Sequence, residues 1–234
     1  MSKRHILITG ATKGLGRALT DYFLAQGDTV FGCARSQSDL AHEQYHHFQV
    51  DVADSDAVAQ VFFDLRKKIK HLDAVINNAG VASMNAFALT PEHTLSHIFD
   101  VNVKGTIFFC QKALGLLRRS QHPRIVNTST VAVPLQLEGE SIYAASKSAV
   151  ETLTRIIAKE YGSFGITCNA VGPSPIDTAL IQGVPKDKIE KLIRRQAVKK
   201  MATPEDVIHI IDFFLKPESD MISGQVMYLG GISA

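Results

Sequence analysis

Tyr143 and Lys147 stand four residues apart in Ile142-Tyr143-Ala144-Ala145-Ser146-Lys147. On a helix, residues with that spacing share one face, which would set a phenol beside an ammonium. Such a pair can move protons. A tyrosine with its ordinary pKa of about 10 is a poor acid–base group at neutral pH. A neighbouring cation stabilises the phenolate, so Lys147 is expected to lower the pKa of Tyr143 toward the working range. A second run, Thr9-Gly10-Ala11-Thr12-Lys13-Gly14-Leu15-Gly16, lies where a short apolar stretch passes into an amphipathic one. Gly10, Gly14 and Gly16 can form a phosphate cradle there. A helix N-terminus supplies N–H donors and a favourable dipole, and glycines let an anion approach the backbone. Together the two runs suggest a nucleotide-dependent redox enzyme.

These groups need a scaffold, and the rest of the chain supplies its pattern. Short, mostly apolar runs at His5–Thr9, Thr29–Ala34, His46–Val50, Ala74–Asn77, Arg124–Ser129, Ile166–Val171 and Gln225–Leu229 read as strands buried on both faces. Longer amphipathic runs at Gly14–Gln26, Asp54–Lys70, Val101–Arg119, Ile142–Gly162, Lys186–Lys200 and Thr203–Leu215 read as helices. Asp54 is suited to an N-cap and Pro204 to a first turn. This alternation means βαβ units, hence an α/β fold with a parallel sheet and helices on both faces. No linker, repeat or low-complexity segment divides the chain, so residues 1–234 read as one domain.

Composition narrows the function classes. The chain is 45% hydrophobic and 21% charged, with a formal net charge of +2. That charge is too small to argue for nucleic acid. No apolar run is long enough to span a bilayer, and no secretory leader is evident at the N-terminus. A cytoplasmic location is expected. Cys33, Cys110 and Cys168 are widely separated and read as small buried residues. His42, His46 and His47, and the pair His93 and His97, lack a convincing ligand set, so no metal is expected.

The end of the second strand should meet the adenosine ribose of a bound dinucleotide. A carboxylate there favours NAD, and a basic residue accommodates the 2′-phosphate of NADP. Cys33-Ala34-Arg35-Ser36 occupies that place, and no acid follows until Asp39. Lys13 adds a cation from the glycine loop. Arg35 and Lys13 are expected to hold the 2′-phosphate, giving NADP(H) preference over NAD(H).

These residues resemble the short-chain dehydrogenase/reductase family, and the resemblance runs through the whole chain. Thr9-Gly-x-x-x-Gly14-x-Gly16 is similar to its cofactor motif, and Asp51-Val52 to its adenine-contact pair. Asn77-Asn78-Ala79-Gly80 matches the segment after the fourth strand, and Asn102 the helix asparagine of the proton relay. Tyr143 and Lys147 match the catalytic pair, while Asn169-Ala-Val-Gly-Pro173 and Thr178 match the segment that closes over the nicotinamide. The resemblance implies a Rossmann-type doubly wound sheet of seven strands in the order 3-2-1-4-5-6-7. It implies reversible hydride transfer between a nicotinamide and a carbonyl or secondary alcohol. It further implies cofactor contacts from Gly10, Thr12, Lys13, Gly14, Leu15, Gly16, Arg35, Asp51, Val52, Asn78, Ala79, Gly80, Tyr143, Lys147, Pro173, Ile176 and Thr178. In this reading Tyr143 gives and takes the proton, Lys147 tunes it and holds the ribose, and Asn102 holds a relay water.

Two departures stand out. Where the family usually carries serine, thirteen residues before the tyrosine, this chain has Thr130, which keeps the hydroxyl needed to polarise a carbonyl. Ser129 is the alternative if the loop is shifted by one. Pro173-Ser174-Pro175 replaces the usual Pro-Gly at the root of a substrate lid spanning about residues 175–200.

Apolar residues Val131, Val133, Leu135 and Leu137, with lid residues 175–184, are expected to shape the substrate pocket. Lys186–Lys200 holds seven basic and two acidic residues, and the resemblance places it beside the substrate mouth, which suits an anionic or carrier-linked substrate as well as a solvated helix face. The family's acyl-carrier-protein reductases, to which the chain is similar, often carry an arginine where this chain has Phe164. The family implies a homotetramer or homodimer. The competing reading is a non-catalytic nucleotide-binding scaffold or regulator on the same fold; Thr130 favours it, and the retained Asn102, Tyr143 and Lys147 oppose it.

Overall fold

Strand-forming apolar runs become β1 (His5–Thr9), β2 (Thr29–Ala34), β3 (Tyr45–Gln49), β4 (Ala74–Asn77), β5 (Arg124–Thr128), β6 (Thr167–Gly172) and β7 (Val226–Tyr228). The computed structural model describes residues 3–178 and 181–232. All seven strands pair in parallel, in the order β3-β2-β1-β4-β5-β6-β7. Strand order reverses between β1 and β4, and the crevice beyond their C-terminal ends is where such sheets bind ligands.

The period of two along each strand sorts its side chains between two cores. Ile6, Ile8, Ile76 and Val126 pack on one face with Phe23 of α1 (Gly14–Ala25) and Ile211 and Phe214 of α8 (Pro204–Leu215). Leu7, Phe31, Val75 and Ile125 pack on the other with Phe62 of α2 (Ser55–Lys68) and Phe109 of α4 (Gly105–Leu117). These phenylalanines are essentially inaccessible to water, and full burial of each contributes about 1.5–3 kcal/mol. The three cysteines are free and buried in the sheet and its flanking helix, and burial raises all three thiol pKa values.

Helix starts follow their local chemistry. Asp54 caps α2, accepting hydrogen bonds from the backbone N–H of Asp56 at 3.0 Å and of Ala57 at 2.9 Å. Thr203 and Asp206 form a capping box before α8, with Pro204 in its first turn. The remaining helices are α3 (Glu92–Phe99), the short α5 (Ala132–Leu135), α6 (Ser141–Tyr161) and α7 (Lys186–Arg195). No described helix is long and apolar enough to cross a membrane.

Two helices differ from expectation. The run expected at Val101–Arg119 begins nine residues earlier as α3, then widens into a π-turn over Asp100–Lys104 before α4. A Cβ at Gly105 would lie 2.9 Å from Val52 Cγ2, so glycine is needed where this turn presses on the sheet edge. The helix expected to reach Lys200 stops at Arg195. Gln196 turns extended, and the N–H groups of Ala197 and Val198 both bond the Gly230 carbonyl, at 2.9 and 3.1 Å. That attachment holds the chain near the end of β7.

Candidate active site

The glycine run does sit between β1 and α1. Gly10 and Gly14 have φ values of +69° and +51°, which favour glycine. The Gly10 N–H donates to the Cys33 carbonyl of β2 at 2.7 Å, which fixes the start of the loop. Asn78 and Ala79 brace it from β4. Both backbone N–H groups donate to Thr9 Oγ1, at 3.0 and 2.9 Å, and Asn78 Nδ2 donates to the Thr9 carbonyl at 3.0 Å. Lys13 occupies the N-cap of α1 without a side-chain capping bond, so among the described residues the helix N-terminus is left uncapped and can receive an anion.

The closest approach in the cradle is at Gly16. A Cβ there would lie 2.0 Å from the Gly10 carbonyl oxygen and 2.6 Å from Asn78 Nδ2. Gly16→Ala is therefore expected to displace the loop, weaken nicotinamide dinucleotide binding at least tenfold and lower Tm by about 2–12 °C. Thermal melts with and without the dinucleotide check this, and an unchanged Tm with unchanged ligand stabilisation would overturn it.

From the cradle a cleft of about 930 Å³ runs past the C-terminal ends of the strands. Its adenine-side wall includes Arg35, Asp51 and Val52, and its far end includes Thr130, Tyr143 and Lys147. Gly10, Thr12, Lys13, Gly14, Leu15, Gly16, Asn78, Ala79, Gly80, Pro173, Ile176 and Thr178 line it as well. Asn102 is fully buried behind this wall. The cradle, bare helix terminus and long cleft fit an extended dinucleotide. Arg35 and Lys13 are exposed and make no ion pair among the described residues, whereas Asp39 is held by Arg17 at 2.7 Å.

At the far end, α6 presents Tyr143 and Lys147 on one face, both buried. Lys147 Nζ donates to the Thr128 carbonyl at 2.8 Å. Burial without an anionic partner lowers its pKa to about 8. The expected lowering of the tyrosine pKa does not occur. Burial pushes Tyr143 up to about 12, the Thr130 hydroxyl opposes that shift, and Glu140 adds to it. Asn102 sits in the π-turn, where its amide accepts from Val81 N–H at 2.9 Å and donates to the Val81 carbonyl at 2.9 Å and to Ser146 Oγ at 3.0 Å. A Cβ on Gly80 would lie 3.3 Å from both Asn102 Oδ1 and Lys147 Nζ, so the two groups flank one spot.

The two neighbouring hydroxyls separate clearly. Ser129 donates to the buried Glu151 carboxylate at 2.5 Å, and Tyr228 donates to the same oxygen at 2.6 Å. Ser129 is thereby committed to holding β5, β7 and α6 together. Thr130 accepts a backbone hydrogen bond from Ala132 at 3.2 Å, lines the cleft, and has its hydroxyl within hydrogen-bonding reach of the Tyr143 phenol.

The lid root is tied down despite its two prolines. Pro173 O accepts from Val131 N–H at 3.1 Å, Pro175 O accepts from Ala202 N–H at 3.0 Å, and Ser174 Oγ lies 3.1 Å from the Gln196 amide. The Thr178 side chain lies 3.5 Å from the Cβ position of Gly14, which brings the lid over the cradle. Ala179 and Leu180, within the expected lid, lie outside the described residues. Of the apolar residues expected in the pocket, Val131 and Leu137 line the cleft, while Val133 and Leu135 do not. Glu140, which sequence reasoning missed, also lines it. Its signal was the spacing: residues 140, 143 and 147 fall on one helix face.

The histidines have structural surroundings. His46 stacks on Phe31 at 5.2 Å, and His47 contacts Tyr45 at 3.2 Å and the Ser36 carbonyl at 2.9 Å. His5, His71 and Asp73 bring ligand atoms within 4.8 Å of one another at the other end of the sheet. Asp73 there already accepts from His5 N–H at 2.7 Å and Ser120 Oγ at 2.5 Å.

Comparison with known proteins agrees with this geometry. A family model described as Enoyl-(Acyl carrier protein) reductase matches residues 10–232. The chain is 29% identical to the 3-oxoacyl-[acyl-carrier-protein] reductase of Thermotoga maritima, over 96% of this chain and 95% of that protein. It is 31% identical to L-xylulose reductase of Bos taurus, over 99% of this chain and 96% of that protein. In structure it is similar to aldohexose dehydrogenase of Thermoplasma acidophilum, with TM-score 0.88 and 29% identity, covering 99% of this chain and 97% of that one. The fold is shared with 3-ketoacyl-(acyl-carrier-protein) reductase of Brucella melitensis at TM-score 0.89 and 21% identity, over 97% of each chain. On its strand order, its cleft and these relatives together, the chain belongs to the short-chain dehydrogenase/reductase family.

Proposed function

We propose that this chain is an NADPH-dependent reductase of a ketone or aldehyde, with Tyr143 as proton donor. The observation that carries the reading is one continuous cleft with a dinucleotide cradle at one end and Thr130, Tyr143 and Lys147 at the other. When bound, the nicotinamide supplies a hydride to the carbonyl carbon. Thr130 Oγ1–H donates to the carbonyl oxygen and polarises it, and Tyr143 O–H gives that oxygen its proton. Lys147 holds positive charge beside the reacting end, and Asn102 fixes the backbone at Val81 and positions the relay. Arg35 and Lys13 bind the 2′-phosphate by charge-assisted hydrogen bonds. The whole chain acts as one catalytic unit with the lid at about residues 175–200. A homotetramer or homodimer in the cytoplasm fits the family. The relatives are named for carrier-bound oxoacyl groups and for a ketosugar, so this chain's substrate is sought among carbonyls of both kinds. A screen of such carbonyls with NADPH and NADH tests the reading; no oxidation of either cofactor by any of them would refute it.

The acid–base balance sets an expected pH profile. Burial keeps the Tyr143 phenol protonated through neutral pH, so it is present there as the proton donor that reduction requires. Lys147 loses its charge as pH rises through about 8. The kcat/KM for reduction is therefore expected to be level below that pH and to fall above it, approaching tenfold per unit. A profile level to pH 10 would remove Lys147 charge from the mechanism.

A further inference from the structure

The substrate end of the cleft contains a carboxylate that the hydride-transfer reading does not use. Glu140 immediately precedes α6, and its carbonyl accepts from Ala144 N–H at 2.7 Å, so it shares the helical register of Tyr143 and Lys147. Positions 140, 143 and 147 lie at helical spacings of three and four, one above another on the face that opens into the cleft. Among the described residues the Glu140 carboxylate accepts no hydrogen bond and forms no ion pair within 4 Å. Burial raises its pKa, and only Lys188 of α7 opposes this. Lys188 is exposed and directs its Nζ to Met84 Sδ at 3.6 Å. The cleft that Glu140 lines also includes the apolar side chains of Val131, Leu137 and Leu192.

We infer that Glu140 is a substrate-binding residue that accepts a hydrogen bond from a hydroxyl near the reacting carbonyl, and that the substrate class is polyhydroxy ketones or aldoses. The inference rests on the oxidoreductase reading and adds the identity of the substrate's inner end. An acyl chain pressed past Glu140 would strip water from the carboxylate and return no donor, which is costly for a charged acceptor. A hydroxyl on a neighbouring carbon replaces that water with a charge-assisted bond. An anionic inner end would meet like charge. Lys188 Nζ lies 3.6 Å from the Cβ position of Gly139 and is directed to Met84, so it softens this repulsion without pairing with the carboxylate. A pocket built around one polar acceptor also discriminates strongly against an analogue lacking the hydroxyl.

The test uses the NADPH-loaded protein with erythrulose and with 2-butanone, which has the same carbon skeleton without hydroxyls. Wild type is expected to prefer erythrulose in kcat/KM. Glu140→Ala should reduce that preference by about 10- to 100-fold, mainly through KM, and Glu140→Gln, which keeps an acceptor oxygen, should retain most of it. Erythrulose binding is measured in parallel by calorimetry. Turnover of both ketones with the same preference in wild type and Glu140→Ala would overturn the role of Glu140 and leave the oxidoreductase reading intact. Erythrulose binding that Glu140→Ala abolishes, with no turnover of any carbonyl, would keep the binding role and refute the reductase. Equal erythrulose binding by wild type and Glu140→Ala overturns the inference whatever the turnover.

Discussion

Tyr143→Phe is expected to lower kcat for carbonyl reduction by on the order of 10³-fold while leaving the Kd for NADPH within about twofold. The phenol is 8% exposed and sits on the α6 face that lines the cleft, so the phenyl ring fills the same space. Loss of the hydroxyl costs Thr130 its bond to the phenol, but Thr130 lines the cleft and its Oγ1 still accepts from Ala132 N–H at 3.2 Å. Fold and cofactor cradle are therefore preserved, and the proton source is lost. Stopped-flow reduction and NADPH fluorescence titration on the same preparation separate the two effects. Residual turnover above about a tenth of wild type would mean that another group protonates the product.

Sequence pattern carried the fold further than it carried the site. The strands were legible because each is buried on both faces and reads as a compact apolar run, as Ile6-Leu7-Ile8 does in β1. Their order came from family resemblance rather than from the pattern. The helix across residues 92–117 was misjudged because hydrophobic periodicity does not register a π-turn, and the turn depends on Gly105 meeting Val52 across the fold. At the site, the cradle and the Tyr143–Lys147 spacing are local and were visible. What was not visible depends on tertiary partners. Glu151 reads as an ordinary helix acid, yet it is buried and takes the Ser129 hydroxyl, leaving Thr130 to face the cleft. Likewise, the spacing pairs Tyr143 with Lys147 but does not show that the ammonium donates to the Thr128 carbonyl.

Cofactor choice gives the second large effect. Arg35→Asp is expected to weaken NADPH binding by on the order of 100- to 1,000-fold while NADH affinity holds or improves. Arg35 follows directly on β2, lines the cleft and has no ion-pair partner among the described residues, so its charge is free for a 2′-phosphate. Aspartate removes that charge-assisted bond and adds repulsion toward the phosphate, yet it can accept from a ribose 2′-hydroxyl. Asp39 does not already play that part, because Arg17 holds it at 2.7 Å. Lys13 remains in the variant and is expected to preserve weak NADPH binding. Titration of both cofactors against wild type and variant measures the change in their affinity ratio; equal losses for the two would show that Arg35 shapes the cleft without reading the phosphate. Salt supplies an independent check. Binding of the extra phosphate charge in an exposed corner is screened over about 8 Å at physiological ionic strength, so added salt should weaken NADPH binding more in wild type than in the variant.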